Sequence, residues 1–380
     1  MTRLSSEDDF LAAIDRHFTN AHPHLCVGRG DDCAVIACPP RMAVSTDLFN
    51  EHSHFRTSYF TPGDIGHKAL AVNISDLAAC GARPLGFSLA FTAPADLSRE
   101  FCDEMLSAMA TLAREHDMAL SGGDLTRGDA LSLCITVWGG PAPHPAHAPI
   151  MEDGGGDGGP NGEGVGEEAG GEDGVVGEGG GGRIGTHPRP VAGGTSPFLR
   201  RGGCQPGDQL FLVGQMGLAR VGLLALESMG AEAARLYPEA CRAHLRPRPQ
   251  VAAGLALAAI CGTGATRIAL MDVSDGLARD LPRLIGADRG SGLGAELTMD
   301  PETLPGEVRA YALANDLDPV DMAFTGGEDY ALLGCCRPAM LDRVRAAVPG
   351  LTPLGQVTAD GVVLVNGDLP ASAGFDHFSG

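Results

Sequence analysis

Lysine is nearly absent from this chain: Lys68 is the only one in 380 residues. That excludes the phosphate-gripping loop GxxxxGK[ST], because Lys68 is followed by Ala69. A GxGxxG turn after the first strand is missing, as are the HRD and DFG segments of protein kinases. The eleven cysteines form no CxxC and are odd in number, which argues against a zinc ribbon or a disulfide framework; most of them read as reduced, buried, small hydrophobes. Twelve histidines give no HxxxH or HExxH pattern, so any metal chemistry falls to carboxylates. No apolar run reaches the roughly 18 residues of a membrane span. The N-terminal MTRLSSEDDFLAAIDRHF reads as an acidic amphipathic helix rather than a signal peptide, so a cytoplasmic protein with no membrane partner is expected.

What is present is a chain that is 44% hydrophobic and 20% charged, long enough for two domains. The net charge of −21 offers no basic surface for nucleic acid, and much of it is local. Residues 151–182 carry nine Asp or Glu and no Lys or Arg, leaving −12 for the rest. That segment has almost no bulky apolar residue to offset ordering entropy, so a disordered insert is expected over 141–196, with domains over 1–140 and 197–380.

Strands and helices alternate on both sides of it, which predicts an α/β or α+β class. MAVSTD reads as a strand and TPGDIGHKALAVNISDLAACGARP as a helix with Thr61 as N-cap, Pro62 in its first turn and Gly81 at its end. A strand LGFSLAFT, a helix over 98–116 and strands near 118–121 and 131–138 follow. The second half reads as strand QLFLVG, helices from 217 and over 248–260, strand TRIALMD, a helix from 276 and strand YALLGC.

Aspartates recur at expected strand ends. MDVSDGLARDL closes an apolar run on Asp272, Ser274 and Asp275; GRGDDCAVI sets Asp31 and Asp32 in a glycine turn; RMAVSTDLF ends on Ser45, Thr46 and Asp47; LSGGDLTRG ends on Gly123 and Asp124. Asp76, in AVNISDLAACG, falls on the helix stripe of Ile65, Ala69 and Val72. Each alone is an ordinary cap or turn. Together they predict carboxylates gathered at one sheet edge, where open α/β folds bind ligands, with Mg²⁺ and phosphate to neutralise them.

GDDCAV, STDLFNEHSHF, GHKALAVNISDLAACGARP, SGGDLTRG, HLRPRP, MDVSDGLARDL, FTGGEDYALL and GFDHF, in that order, resemble the thiamine-monophosphate kinase family. That family belongs to the aminoimidazole ribonucleotide synthetase-like ATP-binding superfamily, and the resemblance spans all but the insert. It implies a two-domain fold without a P-loop and transfer of the γ-phosphoryl group of ATP to thiamine monophosphate, giving thiamine diphosphate. By motif, the magnesium ligands would be Asp32, Ser45, Thr46, Asp47, Asp76 and Asp124 from the first domain and Asp272 and Asp275 from the second. Ser274, Gly123, Asp124 and Arg201 would contact ATP, with Arg200 an open alternative to Arg201. His54, Glu328 and Phe375 would contact the thiamine phosphate. The resemblance also implies a homodimer through the first domain.

An acceptor phosphate is already anionic near neutral pH, so no catalytic base is expected and the work is positioning and charge neutralisation. His52 replaces a glycine common in the family's VEGVHF. Two rivals remain on these residues: a sister ATP-dependent synthetase, and a non-catalytic acidic metal-binding protein.

Overall fold

The computed structural model describes residue 3 and residues 6–141, 198–261 and 267–370. The expected insert therefore lies almost wholly outside the described residues, and Phe375 lies outside them too.

In chain order the first domain holds α1 (Glu7–His17), β1 (Leu25–Val27), β2 (Val35–Ile36), β3 (Ala43–Asn50), α2 (Pro62–Ala79), β4 (Ala82–Ala93), α3 (Arg99–Glu115), β5 (Ala119–Arg127) and β6 (Ser132–Pro141). Its four-stranded sheet runs β3-β6-β4-β5, with β4 and β5 parallel and the other pairs antiparallel. The second begins with β7 (Gln209–Val213), α4 (Leu218–Met229), α5 (Ala233–Leu236), α6 (Pro238–Leu245), α7 (Val251–Cys261), β8 (Ile268–Asp272) and α8 (Leu277–Ile285). It continues through β9 (Gly294–Leu297), α9 (Gly306–Ala314), α10 (Pro319–Thr325), β10 (Leu332–Cys336), α11 (Leu341–Ala347), β11 (Thr352–Thr358) and β12 (Val363–Val365). Its six-stranded sheet runs β12-β9-β11-β7-β10-β8.

Helix α2 joins the two halves. It starts as its sequence dictates: Thr61 and Asp64 exchange side-chain and backbone bonds in a capping box, and Pro62 opens the first turn. Nearly every residue along it is buried, on all faces, because α3 and the first sheet cover one side and the second domain the other. Ala78 of α2 approaches α7 so closely that a Cβ on Gly254 would lie 2.0 Å from its carbonyl oxygen. One continuous apolar cluster accordingly runs from Phe87 and Ile135 through Leu70 to Leu257, Leu270 and Leu332.

Two expectations about strand ends are corrected. Ser45, Thr46 and Asp47 stand inside β3, which pairs with β6 without a break from Ala43↔Gly139 to Asn50↔Ser132. Gly123 and Asp124 likewise stand inside β5. Backbone pairing tolerates polar side chains wherever they leave the sheet into a cavity or solvent, so the end of an apolar run is not the end of a strand. Asp272 does close β8, as expected.

Candidate active site

Alternation along β3 sends Ser45 and Asp47 toward α2 and Val44, Thr46 and Leu48 to the outer face, where Val44 and Leu48 are 58% and 56% exposed. Ser45 Oγ donates to Asp76 of α2, and the adjacent Ser75 Oγ donates to Asp272 Oδ2 at 2.9 Å. Residues 75 and 76 thus tie a strand of the first domain to a strand of the second, and Asp47, Asp76 and Asp272 meet at the junction. Burial, then the nearby Asp76, pushes the Asp47 carboxyl up to about 6. Burial also raises Asp76, against the Ser45 bond and the field of Arg201. Asp272 is raised by burial and by Asp76, with Ser75 and Arg201 opposing. Three carboxylates held above their ordinary range form a group short of positive charge.

The turn after β8 is held by Asp280, which accepts the N–H groups of Ser274 and Asp275 at 3.0 and 2.8 Å. Arg283 bonds Asp275 at 2.6 Å and Asp280 at 2.8 Å, so Asp275 has a cation in contact, whereas among the described residues Asp272 has no ion pair.

Glu328 is fixed differently. Its Oε1 lies 2.8 Å from Lys68 Nζ and its Oε2 lies 3.1 Å from His244 Nδ1, and both partners are buried. Burial works to raise the Glu328 carboxyl, yet Lys68 and His244 outweigh it and hold it well below the carboxylate range. Burial in turn lowers Lys68 and His244. The Glu328 backbone has φ +65°, an uncommon setting for a side-chain-bearing residue, and its N–H donates to Ser274 O at 2.8 Å. The lone lysine thus pairs a first-domain helix with a second-domain loop, a role its rarity alone did not reveal.

Two cavities meet at the acidic cluster. One of about 840 Å³ is lined by Asp47, His54, Tyr59, Asp275 and Glu328 among others; one of about 180 Å³ is lined by Ser45, Arg200 and Arg201. Asp76 and Asp272 border both. His54 Nδ1 accepts the Asn50 N–H at 3.0 Å.

The structure therefore brings together Ser45, Asp47, Asp76, Asp272, Ser274, Asp275, His54, Glu328 and Arg201, and it leaves Arg200 beside Arg201. It does not bring in Thr46, whose Oγ1 meets Thr136 Oγ1 at 2.8 Å on the outer face. Asp32, Gly123 and Asp124 line neither cavity. Asp124 stands opposite Ala90 on β5, three strands across from β3, about 14 Å at the usual strand spacing. The turn before Asp32 is pinned on that same side, where Arg29 donates to Leu120 O at 3.0 Å. Lys68, Ser75, His244, Asp280 and Arg283 were missed as site residues: the first four lie within GHKALAVNISDLAACGARP, HLRPRP and MDVSDGLARDL, but nothing local shows which carboxylate or backbone group each one meets.

Among the described residues no three His, Cys, Asp or Glu side chains form a closed metal cage. That donor set fits Mg²⁺, which is bound through one or two carboxylates together with waters and substrate phosphates.

Residues 30–140 match the N-terminal domain, and residues 205–366 the C-terminal domain, of AIR synthase related proteins. The paired domains and the carboxylates between them place the chain in that class. The thiamine-monophosphate kinase of Salmonella typhimurium is 30% identical, over 93% of this chain and 92% of its own length. The crystal structure of thiamine-monophosphate kinase from Stenotrophomonas maltophilia superposes with a TM-score of 0.69 at 27% identity, covering 98% of this chain and 99% of the other. AaThiL complexed with AMPPCP and TMP shares the fold, with a TM-score of 0.65 at 23% identity, covering 92% and 91%. The chain belongs to the thiamine-monophosphate kinase family.

Proposed function

We propose that this chain transfers the γ-phosphoryl group of ATP to the phosphate of thiamine monophosphate, giving thiamine diphosphate and ADP. The observation that carries this reading is the acidic wall of Asp76 and Asp272 shared by two cavities, one for each substrate. Arg201, with Arg200 beside it, binds donor phosphates on the side of the small cavity, and Ser274, which borders the large cavity in the turn after β8, meets the transferred phosphoryl group where the two cavities join at Asp272. His54 and Glu328 line the large cavity and position the acceptor.

Asp47, Asp76 and Asp272, with Ser45, are the residues that would hold Mg²⁺. Bound there, the metal supplies neutralisation of the charge between donor and acceptor phosphates. The protein's share is preorganisation: Ser45 and Ser75 orient the carboxylates, and α2 fixes their spacing across the domain junction. No residue has to remove a proton, because the acceptor oxygen is already an anion. Glu328 carries its charge matched by Lys68, so it serves as a fixed acceptor in the wall rather than as a free counter-ion for the thiazolium. The homodimer implied by resemblance would have the outer face of the first sheet available, where Val44 and Leu48 are exposed. Among the described residues no helix is long and apolar enough to cross a membrane.

The test is a chromatographic product assay with ATP and Mg²⁺ plus thiamine, thiamine monophosphate or no acceptor. Thiamine diphosphate should form from thiamine monophosphate alone. Equal ADP in all three would make the protein an ATPase or a sister synthetase.

A further inference from the structure

The large cavity carries a guanidinium that no motif singled out. Arg220 is the third residue of α4, a place where positive charge opposes the helix dipole. The acidic cap that suits this end is already supplied by Asp329, which accepts the N–H groups of Gly217 and Ala219 at 2.8 and 3.1 Å. A cation in the first turn weakens the helix unless something anionic meets it, and among the described residues no carboxylate pairs with Arg220. The other arginine of the cavity, Arg56, lies 3.6 Å from Glu227 and donates to His52 O at 2.8 Å. Arg220 has no hydrogen bond or ion pair among the described residues, although Asp47, Asp76, Asp272 and Asp275 border the same space.

Its stem is nonetheless held in place. A Cβ on Gly326 would lie 2.8 Å from Arg220 Cβ and 3.3 Å from its Cγ, so the arginine rests on the backbone segment that carries Glu328 two residues later. One wall thereby presents a fixed carboxylate and an unmatched guanidinium. Guanidinium is always charged, and its planar fork suits phosphate oxygens.

We propose that Arg220 binds a phosphate oxygen of the acceptor substrate and so helps select phosphorylated thiamine over thiamine. The inference rests on the reading of the large cavity as the acceptor's. The acceptor is assigned rather than the nucleotide because Arg220 borders only the large cavity, while Arg200 and Arg201 stand at the small one.

Arg220→Met keeps most of the stem and removes the charge; Arg220→Lys restores charge without the fork. In the full-length chain, Arg220→Met should raise KM for thiamine monophosphate about 10- to 100-fold and change KM for ATP by less than about 2-fold, as for loss of one charge-assisted bond. Arg220→Lys should recover part of that loss. Without ligand, Arg220→Met should melt no lower than wild type, since it removes a charge that opposes the dipole. A second readout does not depend on thiamine: inorganic phosphate with Mg²⁺ should raise the melting temperature of wild type more than that of Arg220→Met. Unchanged KM for thiamine monophosphate in the folded variant, a rise confined to ATP, or no difference in the phosphate shift overturns the proposal. If wild type fails to phosphorylate thiamine monophosphate, the functional reading falls. The phosphate shift still decides the anion site, a smaller shift in Arg220→Met supporting it and equal or absent shifts refuting it.

Discussion

At the scale of single residues the chemistry turns on where charge is left unmatched. Asp275 and Glu328 are paired with Arg283 and Lys68, whereas Asp47, Asp76 and Asp272 face one another. Asp47→Asn should fold and lose at least about two orders of magnitude in rate with Mg²⁺, as for removal of one preorganised charge at the reacting phosphates. Its stability should move the other way. The Asp47 carboxyl ionises at about 6 in the folded protein and near 3.8 ordinarily, so the folded state keeps a proton that the unfolded chain has released in between. Stability due to this group is therefore greatest at low pH and is lost as pH rises through about 6. In chelator, melting curves from pH 4 to 8 should show Asp47→Asn gaining on wild type as pH rises. A flat difference across that range, with full activity in Mg²⁺, would make Asp47 a structural residue only. The residue types were legible from the repeated Asp-rich segments. The matching cations were not, because Lys68 and Arg283 meet their carboxylates through folding rather than through a motif.

At the scale of elements, α2 is the beam on which the site is built, and its ends were written plainly in Thr61, Pro62 and Gly81. Its burial was not. A helix buried on nearly every face is apolar well beyond one stripe, so the periodicity of Ile65, Ala69 and Val72 could not say which neighbours cover the rest of it. The crossing with α7 depends on Gly254, and Gly254→Val should destabilise the protein by about 1 to 3 kcal/mol through overpacking against Ala78. Urea unfolding measures that loss, and because Ala78 is two residues from Asp76, turnover at a permissive temperature should fall as well. Unchanged stability would mean the two domains slide past each other without cost. Strands β3 and β5 show the opposite error. Their polar residues mimicked strand ends, yet the ladder continues beneath them.

At the scale of the whole molecule, the two chain ends that flank the Gly/Glu-rich segment are anchored almost together. Pro141 pairs with Ala82, and Leu199 N donates to Cys80 O at 2.8 Å. A far shorter connection would span that gap, and loop-closure entropy varies slowly with length. Deleting residues 150–182 should leave melting temperature and kcat/KM nearly unchanged; a loss beyond about tenfold in a folded deletion variant would give the segment a role that its composition does not suggest. By itself the sequence determined the class, the order of most elements, the family and the carboxylates, because these rest on local patterning and on short motifs read in order. Only the tertiary structure decided which carboxylates meet. It set Asp47, Asp76 and Asp272 at one junction and left Thr46 and Asp124 on other faces, since a strand's alternation and a sheet's width separate residues that a list of motifs places side by side.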